Sequence, residues 1–167
     1  MRAVHIRPRD PEDLSRCVDL LADVHAVDGY PAIWPADPAS WLTPSRLLDA
    51  WLTEQADALI GHVGLSGVAA GPSAELWAVS TGLAADRLGA VRQLFVSPGA
   101  RRQGIGERLL AVACSEAHRR GLHPVLDVID RNHAAMALYE QLGWRIAGSL
   151  EVELAGRPER LVCYVAP

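Results

Sequence analysis

A strand-like segment, a glycine- and arginine-rich turn and a long amphipathic helix follow one another in the middle of this chain. The strand pattern covers Ala90 to Val96, and the helical pattern runs from about Gly104 to Arg119. Gly104 and Gly106 let the backbone approach a ligand closely, and a helix N-terminus offers unpaired N–H groups and the positive end of its dipole. This junction therefore predicts a pyrophosphate site.

The junction differs from two familiar phosphate motifs. No Lys-Ser/Thr pair follows the glycines, as it would in a P-loop, and the glycine spacing is not that of the dinucleotide fingerprint. Arg101 and Arg102 add positive charge to the same turn. We call residues Arg101 to Gly106 the cradle. We expect it to bind a phosphate-bearing ligand in a way that neither the P-loop nor the dinucleotide fingerprint describes.

The segments at the start of the chain predict a strand and two helices. Val4 to Ile6 has strand character, and a helix with apolar residues three and four apart begins after Asp10. A loop rich in glycine, proline and aromatic residues follows from Asp28 to Asp37. The second helix is predicted to start at Thr43-Pro44-Ser45 and to carry Leu47, Leu48 and Trp51.

The remaining segments predict more strands and one more helix. Ala58 to Leu65 is predicted as a strand, and Glu75 to Val79 as its antiparallel partner. After the cradle helix come a strand at Val125 to Val128 and a helix at Ala134 to Leu142. The tail Arg145 to Pro167 has room for a closing hairpin.

The length and composition indicate one soluble globular domain over residues 1–167. The chain has 167 residues, of which 50% are hydrophobic and 22% charged, and a chain of this size can bury its own core. The apolar runs are too short for a membrane span, and the N-terminus lacks the pattern of a signal peptide. We therefore expect a cytoplasmic protein without a membrane partner.

The charge and the cysteines exclude further classes of function. The net charge of −4 argues against nucleic acid as a partner, because phosphate backbones are bound by clustered positive charge. Cys17, Cys114 and Cys163 are far apart and lie among apolar residues. We therefore expect neither a disulfide framework nor a bound metal.

The cradle resembles the signature of the GNAT acetyltransferase superfamily, Gln/Arg-x-x-Gly-x-Gly/Ala, and a second stretch resembles the family's next strand and helix. The motif-bearing match covers Val91 to about Trp144. Its parts are the strand end Leu94-Phe95-Val96, the cradle Arg101-Arg102-Gln103-Gly104-Ile105-Gly106, the strand Leu126-Asp127-Val128, and then Asn132, Ala135, Leu138-Tyr139-Glu140 and Gly143-Trp144.

The resemblance implies a mixed α/β fold with a mostly antiparallel central sheet flanked by helices. The sheet is expected to open between the strands Ala90–Val96 and Val125–Val128, which admits acetyl-CoA. Acetyl-CoA would be the co-substrate, and its acetyl group would pass to a primary amine by direct attack, without a covalent acyl-enzyme.

Within that resemblance, each matched segment has an implied role toward acetyl-CoA. The backbone N–H groups of the cradle would hold the pyrophosphate. The strand edge would pair with the pantetheine arm, and one of its N–H groups would polarise the thioester carbonyl. The strand-edge residues are Leu94, Phe95 and Val96, and the cradle residues are Arg101, Arg102, Gln103, Gly104, Ile105 and Gly106.

Two further side chains have implied roles, each with a structural alternative. Asn132 would contact the CoA arm, although the same residue is suited to cap a helix. Tyr139 would lie near the sulfur and protonate the departing thiolate, although a tyrosine on an apolar helix face is also suited to core packing.

A catalytic base has to remove a proton from an ammonium acceptor before its nitrogen can attack. Some family members carry an acid in the middle of the strand motif matched here by Leu126-Asp127-Val128, which makes Asp127 the leading candidate. Glu75 and His62, on the predicted neighbouring strands, come next, and water alone is a further alternative. Asp127 also has a purely structural alternative, a hydrogen bond to backbone or a pair with an arginine.

The acceptor is expected to be a primary amine of a small molecule or peptide. In the family it lies against two segments that correspond here to Val24–Trp41 and Ser149–Arg160. The first segment combines acids with aromatic side chains, which suits a cationic or amphipathic amine. These side chains are Asp28, Tyr30, Trp34, Asp37 and Trp41. The sequence leaves open whether the chain also pairs with a second copy of itself as a homodimer.

Two other classes of function remain as alternatives. A protein of the same fold can bind acetyl-CoA without catalysis and serve as a sensor or interaction module. Alternatively, the cradle can belong to a nucleotide- or phosphate-binding domain that is unrelated to acyl transfer. The nucleotide- or phosphate-binding alternative can be distinguished by its ligands, because it predicts stabilisation by ATP or NAD and not by CoA.

Overall fold

The computed structural model describes residues 3–167, and seven strands form its sheet. The hydrogen-bonded order is β1-β2-β3-β4-β5-β7-β6. β4 and β5 pair in parallel, whereas β1 with β2, β2 with β3, β5 with β7 and β6 with β7 pair antiparallel. The strands are β1 (Val4–Pro8), β2 (Leu47–Gln55), β3 (Ala58–Gly67), β4 (Leu88–Val96), β5 (His123–Ile129), β6 (Arg145–Leu154) and β7 (Arg157–Val165).

Helices lie between several of these strands along the chain, and the expected mixed α/β class with a mostly antiparallel sheet is confirmed. Within residues 3–167, none of the helices combines the length and the apolar character that a bilayer crossing requires. The helices are α1 (Leu14–Asp28), α2 (Pro38–Leu42), α3 (Pro72–Thr81), α4 (Ile105–Arg119) and α5 (His133–Gln141).

The described residues divide into two compact units, each with its own apolar cluster. Residues 3–66 and 91–115 form the first unit, and residues 67–90 and 116–167 form the second. One domain over residues 1–167 remains a prediction. The cluster of the first unit contains Cys17, Leu20, Leu21, Val24, Leu42, Leu52 and Phe95. The cluster of the second contains Val68, Ala74, Trp77, Leu88, Ala90, Val125, Cys163 and Val165.

The predicted helix after Thr43 is wrong, because Leu47–Gln55 is strand β2. The second helix comes earlier, as α2, where the Asp37 side chain accepts a hydrogen bond from Ser40 N at 3.1 Å. β2 pairs on both edges, with β1 and with β3, and its middle residues are buried. A strand buried in this way lacks the polar alternation that separates a strand from a helix in sequence.

The predicted strand Glu75–Val79 is also wrong, because this segment lies within helix α3. Pro72 occupies the first turn and Glu75 follows in the same turn, which are helix-start signals. The buried side chains Ala74 and Trp77 are three positions apart, as one helix face requires. A five-residue window is too short to distinguish that spacing from a strand.

The predicted partial pairing of the two strands around the expected opening is confirmed. Within the second unit, Leu88 pairs with His123, Gly89 with Pro124 and Ala90 with Val125. β4 continues to Val96 and β5 to Ile129, so the parallel pairing covers only the first third of β4.

Helix α4 packs directly on strand β3 at Gly61. A Cβ atom at this buried glycine would lie 2.9 Å from Leu109 Cδ1 and 3.3 Å from Ile105 Cγ2. Ile105 is the first residue of α4, and both of these α4 side chains are buried. The absence of a side chain at Gly61 therefore sets where the N-terminus of α4 lies in the first unit.

Gly61→Ala is expected to lower the free energy of unfolding by about 1–3 kcal/mol, because the added methyl group overpacks a filled interior. Urea denaturation measures the change. Gly99→Ala is the matched control, since a Cβ there has no heavy atom within 4 Å, and it should leave stability nearly unchanged. Equal stability of the two variants would contradict this account of the packing.

Candidate active site

The cradle forms an exposed turn that leads into α4. Arg102 has φ +61 and Gly104 has φ +73, both in the left-handed region, and only Gly104 adopts it without a steric cost. The first internal bond of α4 runs from Arg108 N to Gly104 O at 3.1 Å. The preceding amides belong to the first helical turn, which has no internal acceptors. They offer N–H donors at the positive end of the helix dipole.

Arg101 is already bound within the first unit. Its guanidinium makes a bidentate pair with the Asp28 carboxylate at the end of α1, with Nη1 to Oδ1 at 3.0 Å. It also lies 3.3 Å from Val96 O, at the end of β4. The role of Arg101 in the structure is thus to fasten the cradle to α1 and β4. Arg102 and Gln103 are exposed.

The strand edge before the cradle presents alternating faces. Phe95 is buried in the first-unit cluster, whereas Leu94 and Val96 are half-buried. Ser97 N donates to Ile60 O of β3 at 2.8 Å. Because backbone groups alternate along a strand, the amides of Leu94 and Val96 face the opposite edge of β4 from the amide of Ser97.

Gln93, just before this edge, has a left-handed backbone with φ +54. His62 Nδ1 lies 2.8 Å from Gln93 O, and Arg9 Nη1 lies 2.9 Å from His62 Nε2. The His62 ring is fully buried and stacks on Phe95, with centroids 4.9 Å apart. Burial is the main reason that the pKa of His62 falls to about 4; the bond to Gln93 acts in the opposite direction, and the charge of Arg9 lowers the pKa further.

His62 is therefore unsuited to the role of base that the sequence left open to it. Both of its ring nitrogens are in contact with protein groups, and its side chain is closed to solvent. Glu75 is exposed, but it lies on helix α3 and not on the expected strand. His62 thus lies on a strand, β3, as the sequence argument required, but Glu75 does not.

Tyr139 is buried in the second unit, where its ring packs near Trp144 and Tyr164, with centroid distances of 6.0 and 5.7 Å. Burial raises the pKa of its phenol to about 12, and the negative charge of Asp127 acts in the same direction. Asp127 lies half-buried on β5, paired across the ladder with Cys163. Tyr139 therefore stays protonated at neutral pH, and it lies within electrostatic reach of Asp127.

Asn132 caps helix α5, as the structural alternative predicted. Its Oδ1 accepts a hydrogen bond from Ala135 N at 3.3 Å, and the residue is exposed. The cap uses the side-chain oxygen. Contact with a CoA arm remains a prediction for this residue.

The acids of the expected acceptor segment are used in structural contacts. Asp28 binds Arg101, and Asp37 caps α2 through Ser40. Trp34 is 38% exposed and lies against the His25 ring, with centroids 5.2 Å apart. Asp28, Trp34 and Asp37 are exposed, whereas Tyr30 and Trp41 are half-buried against the first-unit cluster.

Sequence reasoning missed the group around Gln93. Arg9 and Gly64 belong to no local sequence motif, and their contacts with His62 and Gln93 arise only from the folded arrangement of the chain. The one available signal was the polar pair Arg92-Gln93 inside an otherwise apolar strand.

Among residues 3–167, no group of three or more His, Cys, Asp or Glu side chains is arranged to hold a metal ion.

Comparison with known sequences shows that most of the chain matches one protein family. The profile of the acetyltransferase (GNAT) family matches residues 18–144. A similar curated protein is the peptidyl-lysine N-acetyltransferase YjaB of Salmonella typhimurium, which is 33% identical over 76 residues. That alignment covers 44% of this chain and 48% of the relative, so the chain matches about half the length of that protein.

Comparison with solved structures shows that the fold is shared more widely than the sequence. The ribosomal-protein-S18-alanine N-acetyltransferase of Escherichia coli superposes with a TM-score of 0.72 at 20% identity, over 99% of this chain and 94% of that one. Arabidopsis thaliana NAA60, solved in complex with acetyl-CoA, superposes with a TM-score of 0.74 at 20% identity, over 98% and 97%.

The depressed pKa of His62 predicts a loss of stability in mild acid. The folded protein holds this ring neutral down to about pH 4, whereas the unfolded chain protonates it near pH 6.5. The contribution is complete above pH 6.5 and is lost as pH falls toward 4. Between pH 7.5 and pH 5 the free energy of unfolding should fall by about 2 kcal/mol. Urea denaturation of wild type and His62→Asn measures this, and equal losses in both proteins would refute it.

Proposed function

Because this chain belongs to the GNAT acetyltransferase family, we propose that it transfers the acetyl group of acetyl-CoA to a primary amine of a small molecule or peptide. The observation that carries the proposal is the cradle, whose left-handed Gly104 turns the chain into the amide-rich first turn of α4. Such a turn matches a pyrophosphate in shape and in charge. A homodimer and a cytoplasmic location stay predictions.

In this proposal, the donor is held mainly by backbone groups. The first-turn amides of α4 receive the pyrophosphate, with Arg102 and Gln103 exposed beside them. The outward edge of β4 at Leu94 to Val96 pairs with the pantetheine arm, and one of its N–H groups polarises the thioester carbonyl. Asn132 contacts the arm while it caps α5. Arg101 supports this arrangement through Asp28 and Val96 O.

The chemical step moves one proton from nitrogen to sulfur. Asp127 takes a proton from the ammonium acceptor, the free amine attacks the thioester carbon to form a carbon–nitrogen bond, and the second proton that nitrogen loses passes to water. The carbon–sulfur bond then breaks, and Tyr139 donates its proton to the departing thiolate. The resulting phenolate takes back a proton from Asp127, so both side chains return to their starting states.

The pKa of Tyr139 determines how it acts. A phenol with a pKa of about 12 is fully protonated at neutral pH, but full transfer of its proton to a thiolate of pKa about 8.5 is uphill. The transfer is therefore completed by the return of a proton from Asp127 to the phenolate. Asp127 raises the pKa of Tyr139, which favours rapid return of the proton.

An amine acceptor is supported by the names of two relatives. YjaB is named for peptidyl-lysine, and the Escherichia coli structure for the alanine of ribosomal protein S18. Both substrates present a primary amine on a polypeptide. Assay of CoA release across a panel of small amines, lysine peptides and N-terminal peptides would identify the class that this chain accepts.

Acetyl-CoA and CoA are expected to stabilise the protein, and ATP and NAD are not. A ligand at a hundred times its dissociation constant adds about 2.7 kcal/mol, which a thermal-shift assay detects. Gly104→Val should abolish the effect, because its side chain is incompatible with φ +73 in the cradle. Gly156→Val is the matched control, with φ +73 in the β6–β7 turn. Stabilisation by ATP or NAD but not by CoA would favour the nucleotide-binding alternative.

Tyr139→Phe should lower kcat about 100-fold and leave acetyl-CoA affinity unchanged, because only the proton donor is removed. Tyr164→Phe is the control, since it removes a phenol that donates to Glu140 at 3.0 Å and has no assigned role in transfer. Steady-state kinetics and calorimetry measure the two effects. Equal turnover in wild type and Tyr139→Phe would reduce Tyr139 to a packing residue.

Asp127→Asn should lower the rate most at low pH, because an amide cannot accept the proton, whereas high pH supplies free amine without help. Acetyl-CoA affinity should not change. The measurement is a pH–rate profile on an accepted amine, with Asp130→Asn as the control for a nearby carboxylate. A profile identical to that of wild type would leave water as the proton acceptor.

A further inference from the structure

Strand β4 contains a non-glycine residue in a conformation that side chains rarely adopt. Gln93 has φ +54 and is only 8% exposed. Such a conformation persists only where the surroundings hold it, and interruptions of this kind in a strand redirect groups near active sites. Gln93 directly precedes the edge Leu94–Val96, to which the proposed function assigns the acyl donor.

Three neighbours in the first unit hold Gln93. His62 Nδ1 lies 2.8 Å from Gln93 O, and Gln93 Nε2 donates to Trp41 O at the end of α2. Gly64 on β3 leaves the necessary room, since a Cβ there would lie 3.1 Å from Gln93 Oε1 and 3.4 Å from Arg92 O. The backbone and the side chain of Gln93 are thus fixed separately.

Arg9 determines which nitrogen of His62 carries the proton. A guanidinium only donates hydrogen bonds, so His62 Nε2, 2.9 Å from Arg9 Nη1, is the acceptor. The proton then lies on Nδ1 and is donated to Gln93 O. Arg9 Nη1 also donates to Leu42 O at 2.9 Å, which anchors the arginine on the C-terminal end of α2.

The direction of Gln93 O determines the direction of the next amide. In a planar trans peptide the C=O and the N–H point in opposite directions. With Gln93 O directed at the buried His62 ring, the N–H of Leu94 points away from that ring. This agrees with the alternation read from Ser97, which places the Leu94 amide on the edge of β4 opposite β3.

We propose that His62 is a positioning residue for acyl transfer, which by holding Gln93 O directs the Leu94 N–H at the thioester carbonyl oxygen. This inference rests on the proposed function. His62 does not touch the reacting atoms, and it acts through one peptide group. Simple core packing does not account for the arrangement, because an apolar ring would fill the same space without the bonds to Arg9 and Gln93.

The kinetic test compares three variants. His62→Leu removes the donor, His62→Asn keeps an N–H near the position of Nδ1, and Val63→Ala perturbs the neighbouring buried residue of β3. His62→Leu should lower kcat about tenfold or more, since misplacement by about 1 Å is costly, with CoA affinity unchanged by calorimetry. His62→Asn should recover most of kcat, and Val63→Ala should retain it. Equal kcat in His62→Leu and Val63→Ala would overturn the proposal.

A structural readout separates this proposal from the proposed function. In a crystal structure of ligand-free His62→Leu, Gln93 should leave the left-handed region, and an unchanged φ would overturn the proposal. If wild type neither binds CoA nor transfers acetyl groups, the proposed function fails, whatever the φ of Gln93 in the variant. If His62→Leu does not fold, Arg9→Met is the second variant, because it frees the tautomer of the His62 ring. It should lower kcat without changing CoA affinity, and an unchanged kcat would overturn the proposal.

Discussion

The packing of α4 on the backbone of β3 is the contact on which the candidate donor site depends. Gly61 allows Ile105 and Leu109 to approach the strand closely, and Ile105 begins the helix into which the cradle leads. The turn before it, with Arg102 and Gly104 in left-handed conformations, is fastened by Arg101 to Asp28. A buried apolar contact thus fixes the position of exposed polar donors.

A second constraint acts on the next strand. The strained backbone of Gln93 is held by a buried histidine whose tautomer is set by Arg9. Buried polar groups are costly unless they are paired, so this cluster specifies one orientation of the peptide between Gln93 and Leu94. In the second unit, the burial of Tyr139 keeps its phenol protonated. In the first unit the environment fixes the direction of one peptide group, and in the second it fixes the protonation state of one side chain.

The sequence predicted what depends on local pattern. The cradle, α4, α5 and the closing hairpin follow from glycine positions and apolar spacing, and the structure has them at nearly the same residues. β2 was predicted as a helix and part of α3 as a strand, because a short or fully buried segment shows no clear hydrophobic periodicity. The Arg101–Asp28 pair and the Arg9–His62–Gln93 group join residues distant in the chain, and neither has a local signature. The roles of Asp127 and Tyr139 rest on the family resemblance.

The most direct measurement is a titration of isotope-labelled protein with CoA, followed through its backbone amide resonances. If the cradle holds the pyrophosphate, the largest shifts should occur at Gly104, Ile105, Gly106 and Glu107, because a hydrogen bond to phosphate strongly affects the donating N–H. Saturable shifts elsewhere in the protein, with these four amides unmoved, would contradict the assignment of the donor site.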